Sequence, residues 1–473
     1  MSNFFKYVFL SAFVIGLSSC EEELKLPDNT IQFESGQLGF ASNETELTIN
    51  VNFSRETSNE GAIEITAEPT GVEYGAQFTT EPAMVGNKLT IPVAAGATGI
   101  SFKIIKPGGV VFLGDEQIKF LLSTNVEGLV IDGNSELLLT FAELIATSGA
   151  IDINGGGANY PNKVFIDFSA NRQAAVDRTT WDLGFSSGGD FRAVLNSSNG
   201  MMAMALDKTD LNAVTAADTI GMGAMLSHDA VFAAINLPTP PSWVPDAINW
   251  IDDPSGDLAK TAIAGVSATA SENKVYIVNR GSGPGTPSVP LGWKKIRIIR
   301  NGTGYTLQYA DIAATTFSEV QVTKDTDHSF QYVSFATGVV EAEPATARWD
   351  IAWTGFSNAT NFGAGPVPYY FQDFILQNTA GVETAQVLTA DIAYEDFTEA
   401  NLGGTTFSDA RTNIGSSWRS GGGPGGGPSL KTDRFYVVKD ADDNYYKVRF
   451  TALTIGGERG KPKLEYDIVK NGK

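Results

Sequence analysis

Cys20 is the only cysteine in this chain, so it can form no internal disulfide and no cysteine-ligated metal centre. Histidine is almost as scarce, with His228 and His328 the only two in 473 residues. The His-Glu-x-x-His pattern of zinc hydrolases is absent, and an imidazole-dependent hydrolase would have only these two rings to draw on. No enzyme is expected. Basic residues are outnumbered, 33 Lys and Arg against 54 Asp and Glu, for a formal charge of -21. Such a surface repels nucleic acid and anionic lipid, so neither is an expected partner. The N-terminal apolar run, Val8–Ile15, is too short to span a bilayer.

What is present reads as secreted and β-rich. Met1 to Cys20 has an early Lys6, that apolar run, and then Leu17-Ser-Ser-Cys20, the layout of a signal peptide ending in a lipobox with Cys20 lipidated. The 50 glycines and 20 prolines fit many turns, and aromatic residues at 10% argue against disorder. After a tether over residues 21–29, residues 30–145 hold alternating runs such as Leu47-Thr-Ile-Asn-Val-Asn-Phe53 and Lys88-Leu-Thr-Ile-Pro-Val93. Alternation between turn residues predicts an immunoglobulin-like β-sandwich.

The remainder is written twice. Lys163-Val-Phe-Ile-Asp-Phe-Ser169, Trp181-Asp182, Asn273-Lys-Val-Tyr276-Ile-Val, Lys295-Ile-Arg297-Ile and Leu307-Gln-Tyr309 make the first copy. Gln331-Tyr-Val-Ser-Phe335, Trp349-Asp350, Asp433-Arg-Phe-Tyr436-Val-Val, Lys447-Val-Arg449-Phe and Leu464-Glu-Tyr466 repeat the order. The period is too long for a propeller or solenoid, which predicts two domains, 150–316 and 317–473, each with its own core. Trp181 and Trp349 are expected in those cores, and the Asp after each should hydrogen-bond a neighbouring turn. Lys447 and Arg449 should share one face of a strand whose other face is apolar. Met201–Leu206 and Ala230–Ile235 read as short helical pieces.

Three resemblances follow from these motifs. Glu21-Glu22-Glu23 after Cys20 resembles the acidic export tag of Bacteroidetes lipoproteins, which implies a lipid-anchored protein on the outer face of the outer membrane. Gly71-Val-Glu-Tyr-Gly75 followed by Gly114-Asp-Glu-Gln-Ile-Lys-Phe120 resembles a Calx-β-type module; Asp115 and Glu116 lie apart from any acidic run, so calcium is not expected. Trp349-Asp-Ile-Ala-Trp353 and Asp433 to Phe450 look like the HmuY family, with the first copy similar over about 159–310. That resemblance implies an all-β fold with two tandem HmuY-like domains behind the sandwich. It also implies capture of haem or a related tetrapyrrole between projecting loops, and a TonB-dependent outer-membrane receptor as partner.

The chain departs from the family at the iron. The resemblance places one ligand in a loop after a Trp, and here Trp418-Arg-Ser-Gly-Gly-Gly-Pro424 has Gly422 at that place. Glycine has no side chain to donate. The first copy offers Met201, Met202, Met222, Met225 and His228, soft ligands suited to haem iron. Trp243, Trp250, Tyr369, Tyr370 and Trp418, flanked by prolines or glycines, are candidate loop contacts for a small hydrophobic ligand. Two functions therefore stay open. One is haem capture for uptake; the other is a surface lipoprotein that keeps the scaffold and binds a glycan or protein.

Overall fold

The structure is a computed structural model and describes residues 28–40, 44–107, 116–141, 145–363, 365–421 and 427–472. It is all-β. Cys20, the Glu21–Glu23 run, Asp115 and Gly422 lie outside the described residues.

The first unit is the expected sandwich. One five-stranded sheet runs Thr79–Glu81, Gly99–Ile105, Glu46–Phe53, Asn29–Phe33, Leu129–Ile131. The other runs Gln37–Gly39, Glu136–Thr140, Gln117–Thr124, Gly61–Thr70, Lys88–Val93. Strict alternation decides which face is inside: in Lys88–Val93 every second residue is buried, starting with Leu89. Phe102 from one sheet meets Phe120 from the other edge-on at 5.5 Å. Polar contacts dock this unit on the rest, among them Arg172 Nη1 to Glu44 Oε1 at 2.8 Å and Asn171 Nδ2 to Ser35 Oγ at 2.9 Å.

The two repeats do not each own a core. Their leading hairpins are exchanged. Asn162–Asp167, which opens the first repeat, pairs antiparallel with Ile351–Asn361 of the second, Phe165 opposite Ala352. Phe330–Ser334, which opens the second, pairs with Leu183–Ser186 of the first, Gly184 opposite Tyr332. Pairing thus crosses the 316/317 boundary in both directions. The cores follow: Val164, Ile166 and Phe168 pack with Trp353, Tyr436 and Tyr466, while Val333 and Phe335 pack with Leu183, Tyr276 and Tyr305. Long-range strand partners leave no local trace in sequence, which is why two separate cores are the natural expectation from the repeat alone.

Each repeat then builds a further sheet, edged by the lead-in strand of the other repeat. In the first, Met202–Ala205, Val275–Asn279, Trp293–Asn301, Gly304–Ala310 and Ser318–Val322 lie in order. In the second, Glu383–Leu388, Arg434–Lys439, Tyr445–Ala452 and Lys463–Lys470 do, with Ser148–Asp152 added at the edge. The methionine segment is therefore a strand rather than helix, Met204 opposite Ile277; the ladder outweighs the helical preference of Met and Ala. His228–Ile235 is an α-helix, capped by Ser227 Oγ accepting Ala230 N–H at 3.1 Å. In Tyr445–Ala452, Tyr446, Val448 and Phe450 are buried while Lys447 and Arg449 are not, as alternation requires.

Candidate functional site

The Asp after each tryptophan ties the exchange together. Asp182 Oδ2 accepts the backbone N–H of Phe335 at 2.7 Å, and Asp350 Oδ2 accepts that of Phe168 at 2.8 Å. Beside each, an asparagine caps the same turn: Asn196 Nδ2 donates to Trp181 O at 2.7 Å, and Asn378 Nδ2 to Trp349 O at 2.8 Å. The tryptophans are packed across the exchange as well. Trp181 meets Tyr332 edge-on at 4.6 Å, and Trp349 meets Phe165 at 5.2 Å. One difference breaks the symmetry. Arg280 Nε sits 2.7 Å from Asp182 Oδ1, whereas Asp350 faces Asp167 and Asp440, and burial together with those acids pushes its carboxyl well above the ordinary range.

Between the two exchanged sheets lies a cavity of about 520 Å³, and both repeats supply its walls. Trp181 and Trp349 line it, with Tyr332 and Phe356. Several of its polar groups are deeply buried. Lys163 is almost fully buried, and burial lowers its ammonium to about 8. The nearest carboxylate, Glu343 Oε2, is 3.9 Å from Lys163 Nζ and already accepts Tyr332 Oη at 2.6 Å. Asp252 takes Leu195 N–H at 2.6 Å and Ala262 N–H at 2.9 Å, yet burial still raises it to about 6.

His328, in the lead-in to Phe330–Ser334, lines this cavity. Asp325 Oδ2 holds its Nδ1 at 2.7 Å. Gly184-Phe-Ser186-Ser-Gly188 nearby has nucleophile-elbow spacing, but Leu183–Ser186 is a strand and no helix follows it directly. Among the described residues no serine hydroxyl hydrogen-bonds His328.

The soft-ligand candidates fall in different places. Met201 lines the cavity and packs with Leu183 and Val333. Met202 and Met222 are buried together among Leu226, Val231 and Trp250, with Met225 against them. Porphyrin needs an open face beside each axial sulfur, and these two thioethers are enclosed by aliphatic packing, so they do not fit a haem pair. His228 Nε2 is enclosed without a hydrogen-bond partner, its ring 5.9 Å from Tyr370, and burial lowers it to about 4.

The aromatic candidates divide likewise. Trp418 is buried, stacked on Phe450 at 4.4 Å with Nε1 donating to Asp373 O, which makes it a packing residue here. Trp243 stacks on the buried Trp250 at 5.6 Å. Tyr370 donates its Oη to Ser198 O at 2.6 Å, while Tyr369 joins the exposed Phe232 and Phe362 at 5.6 and 5.2 Å. None of these five lines the central cavity. Sequence reasoning named Met201 but missed most of the cavity's lining, because those residues come from segments far apart in the chain; the other early signal was the pair of Trp-Asp motifs.

Among the described residues, no group of three or more His, Cys, Asp or Glu is placed to hold a metal ion. No curated protein matches the chain. Among solved structures, the apo-form Calx CBD1 domain shares 21% identity, covering 24% of this chain and 96% of that one at a TM-score of 0.21. A two-domain protein of unknown function from Bacteroides fragilis shares 11%, covering 40% and 74% at 0.18. Scores this low bear on neither fold nor ligand. The family comparison does: the model for the HmuY protein matches residues 159–466 in one span that runs through both repeats and encloses the cavity, and the chain belongs to the HmuY family.

Proposed function

We propose that this is a lipid-anchored outer-membrane surface protein of the HmuY type that captures a small ring-bearing ligand in the cavity between its exchanged sheets. The observation that carries the reading is the cavity itself: about 520 Å³, walled by Trp181 and Trp349, within the range of small-molecule sites. Tryptophan faces stack on sugar and porphyrin rings alike, and the exchanged sheets hold those walls rigid, which lowers the ordering cost of binding. The anchor rests on Leu17-Ser-Ser-Cys20, and a TonB-dependent receptor is the partner that would take the cargo.

Haem is the second reading, favoured by family membership and by two lining residues. Met201 and His328 bring a thioether and an imidazole to the same cavity, and Asp325 leaves the imidazole Nε2 free. Bound there, haem would supply iron for soft-ligand coordination, with Met201 and His328 as the holding side chains.

Calorimetry of the full chain with a Cys20→Ser change, titrated with neutral and acidic sugars and with haem, tests both. Thr379 lines the cavity at an exposed position, so Thr379→Phe should block entry without disturbing the core. Binding that falls at least tenfold in Thr379→Phe supports capture in this cavity. A Soret band lost in His328→Ala assigns haem. Ligand binding indifferent to Thr379→Phe would place capture elsewhere and overturn the reading.

A further inference from the structure

The five carboxylates that line the cavity are already engaged. Asp252 accepts two backbone N–H groups and Glu343 accepts the Tyr332 hydroxyl. Asp253 accepts Ser255 N–H at 2.8 Å, and Asp257 accepts Ala259 N–H at 2.9 Å and pairs with Lys260 at 3.0 Å. Asp325 holds His328. The lining cations are in the opposite condition. Arg411 makes no side-chain hydrogen bond or ion pair among the described residues; its guanidinium lies 5.6 Å from the Phe356 ring centre and acts on Asp252 only through space. Lys163 has Glu343 beyond hydrogen-bond reach and otherwise faces the rings of Phe165 and Trp349, at 4.4 and 6.0 Å.

A guanidinium presents five N–H donors and an ammonium three. Lys163 is buried and Arg411 half-buried, so an acceptor carried by a ligand would take up donors that the protein itself leaves unused. An anionic acceptor is the strongest available, and a carboxylate matches the planar fork of arginine. Trp181 and Trp349 line the same space and give it apolar wall beside that carboxylate.

We infer that Arg411 and Lys163 form an anion-recognition pair, so that the ligand of this cavity is a ring compound bearing a carboxylate. The inference rests on the capture reading above and specifies what is captured. Two sources share the chemistry: the propionates of a tetrapyrrole and the carboxylate of a uronic acid.

Matched probes test it on the full chain. Metal-free protoporphyrin IX is compared with its dimethyl ester, and a glucuronic acid disaccharide with the corresponding glucose disaccharide, by calorimetry. In at least one pair the acid should bind about tenfold or more tighter than its neutral partner, the worth of one charge-assisted contact. Whichever pair shows the difference names the source. Arg411→Gln should abolish the preference while leaving the neutral partner's affinity unchanged, with near-ultraviolet circular dichroism confirming the fold. Lys163→Met serves as a second variant with the same expectation. Acid and neutral forms binding equally, both blocked by Thr379→Phe, would overturn the anion pair and leave capture intact. Acid preference that survives both Arg411→Gln and Lys163→Met would also overturn it. Binding unaffected by Thr379→Phe would defeat capture itself.

Discussion

Asp182 accepts the backbone N–H of Phe335 at 2.7 Å, joining a tryptophan turn in the first repeat to the end of a strand in the second. The same carboxylate, 1% exposed, is paired with Arg280 through Nε–Oδ1 at 2.7 Å and Nη2–Oδ2 at 3.2 Å. Asp182→Ala strands a largely buried guanidinium and a buried N–H. The expected loss is about 3–5 kcal/mol, the usual result of removing one partner from a buried pair. Urea unfolding should show a lower midpoint with an unchanged slope. A loss below about 1 kcal/mol would mean the exchange does not depend on this contact.

Asp350 stands in the equivalent place without an arginine, and its pH behaviour should differ accordingly. Burial, then Asp167, raises its carboxyl well above the unfolded value of 3.8. The folded state therefore holds a proton that the unfolded state releases, so this contribution to stability is complete below 3.8 and is lost as pH rises through the folded value. Asp350→Asn keeps an oxygen for Phe168 N–H and cannot ionise. Its stability relative to wild type should rise with pH, read from unfolding midpoints between pH 4 and 8. A constant difference across that range would contradict the assignment.

His228 should act in the reverse sense. Burial lowers it from 6.5 to about 4, so the unfolded chain takes up a proton between those values and the folded one does not. Stability from this site is full above 6.5 and falls as pH drops through 4. His228→Phe should flatten that acid limb and raise stability at pH 5 relative to wild type, by about 1–2 kcal/mol after allowance for partial exposure. Thermal melts at pH 5 and 7.5 measure it; equal shifts at both would show that folding leaves the ring's titration unchanged.

Gly355 sits at the irregularity where Ile351–Asn361 slips register against Pro366–Gln377. A Cβ there would lie 2.0 Å from Tyr370 Oη, which is committed to Ser198 O at 2.6 Å. Gly355→Ala must expel the tyrosine, at a cost of about 2–4 kcal/mol from overpacking and a lost buried hydrogen bond. Adding Tyr370→Phe should recover part of that. No recovery in the double variant would show that the backbone, not the hydroxyl, sets the limit.

Much of this was legible in the residues. Alternation gave the sandwich strands, the repeated landmarks marked equivalent positions, and the acid after each tryptophan announced a hydrogen bond that Phe168 and Phe335 complete. Family resemblance supplied the name that the match over 159–466 bears out. Exchange of the hairpins was not legible, since Phe165 pairs equally well in pattern with a near or a distant strand. Met202–Ala205 misled because short Met-Ala runs carry helical propensity that a neighbouring ladder overrides. The cavity escaped because Lys163, His328 and Arg411 are separated by most of the chain and meet only once both sheets have formed.

The exchanged hairpins also set an order of events during synthesis. Asn162–Asp167 emerges roughly 180 residues before its partner strand Ile351–Asn361. At about 5–20 residues per second it waits on the order of 10–40 s with that strand edge unpaired. For that interval its outer edge is open, and a neighbouring copy in which Ile351–Asn361 has already emerged offers the same pairing. Two chains that meet in the interval could each complete the other, so the monomer and an entwined dimer compete in time rather than in contacts.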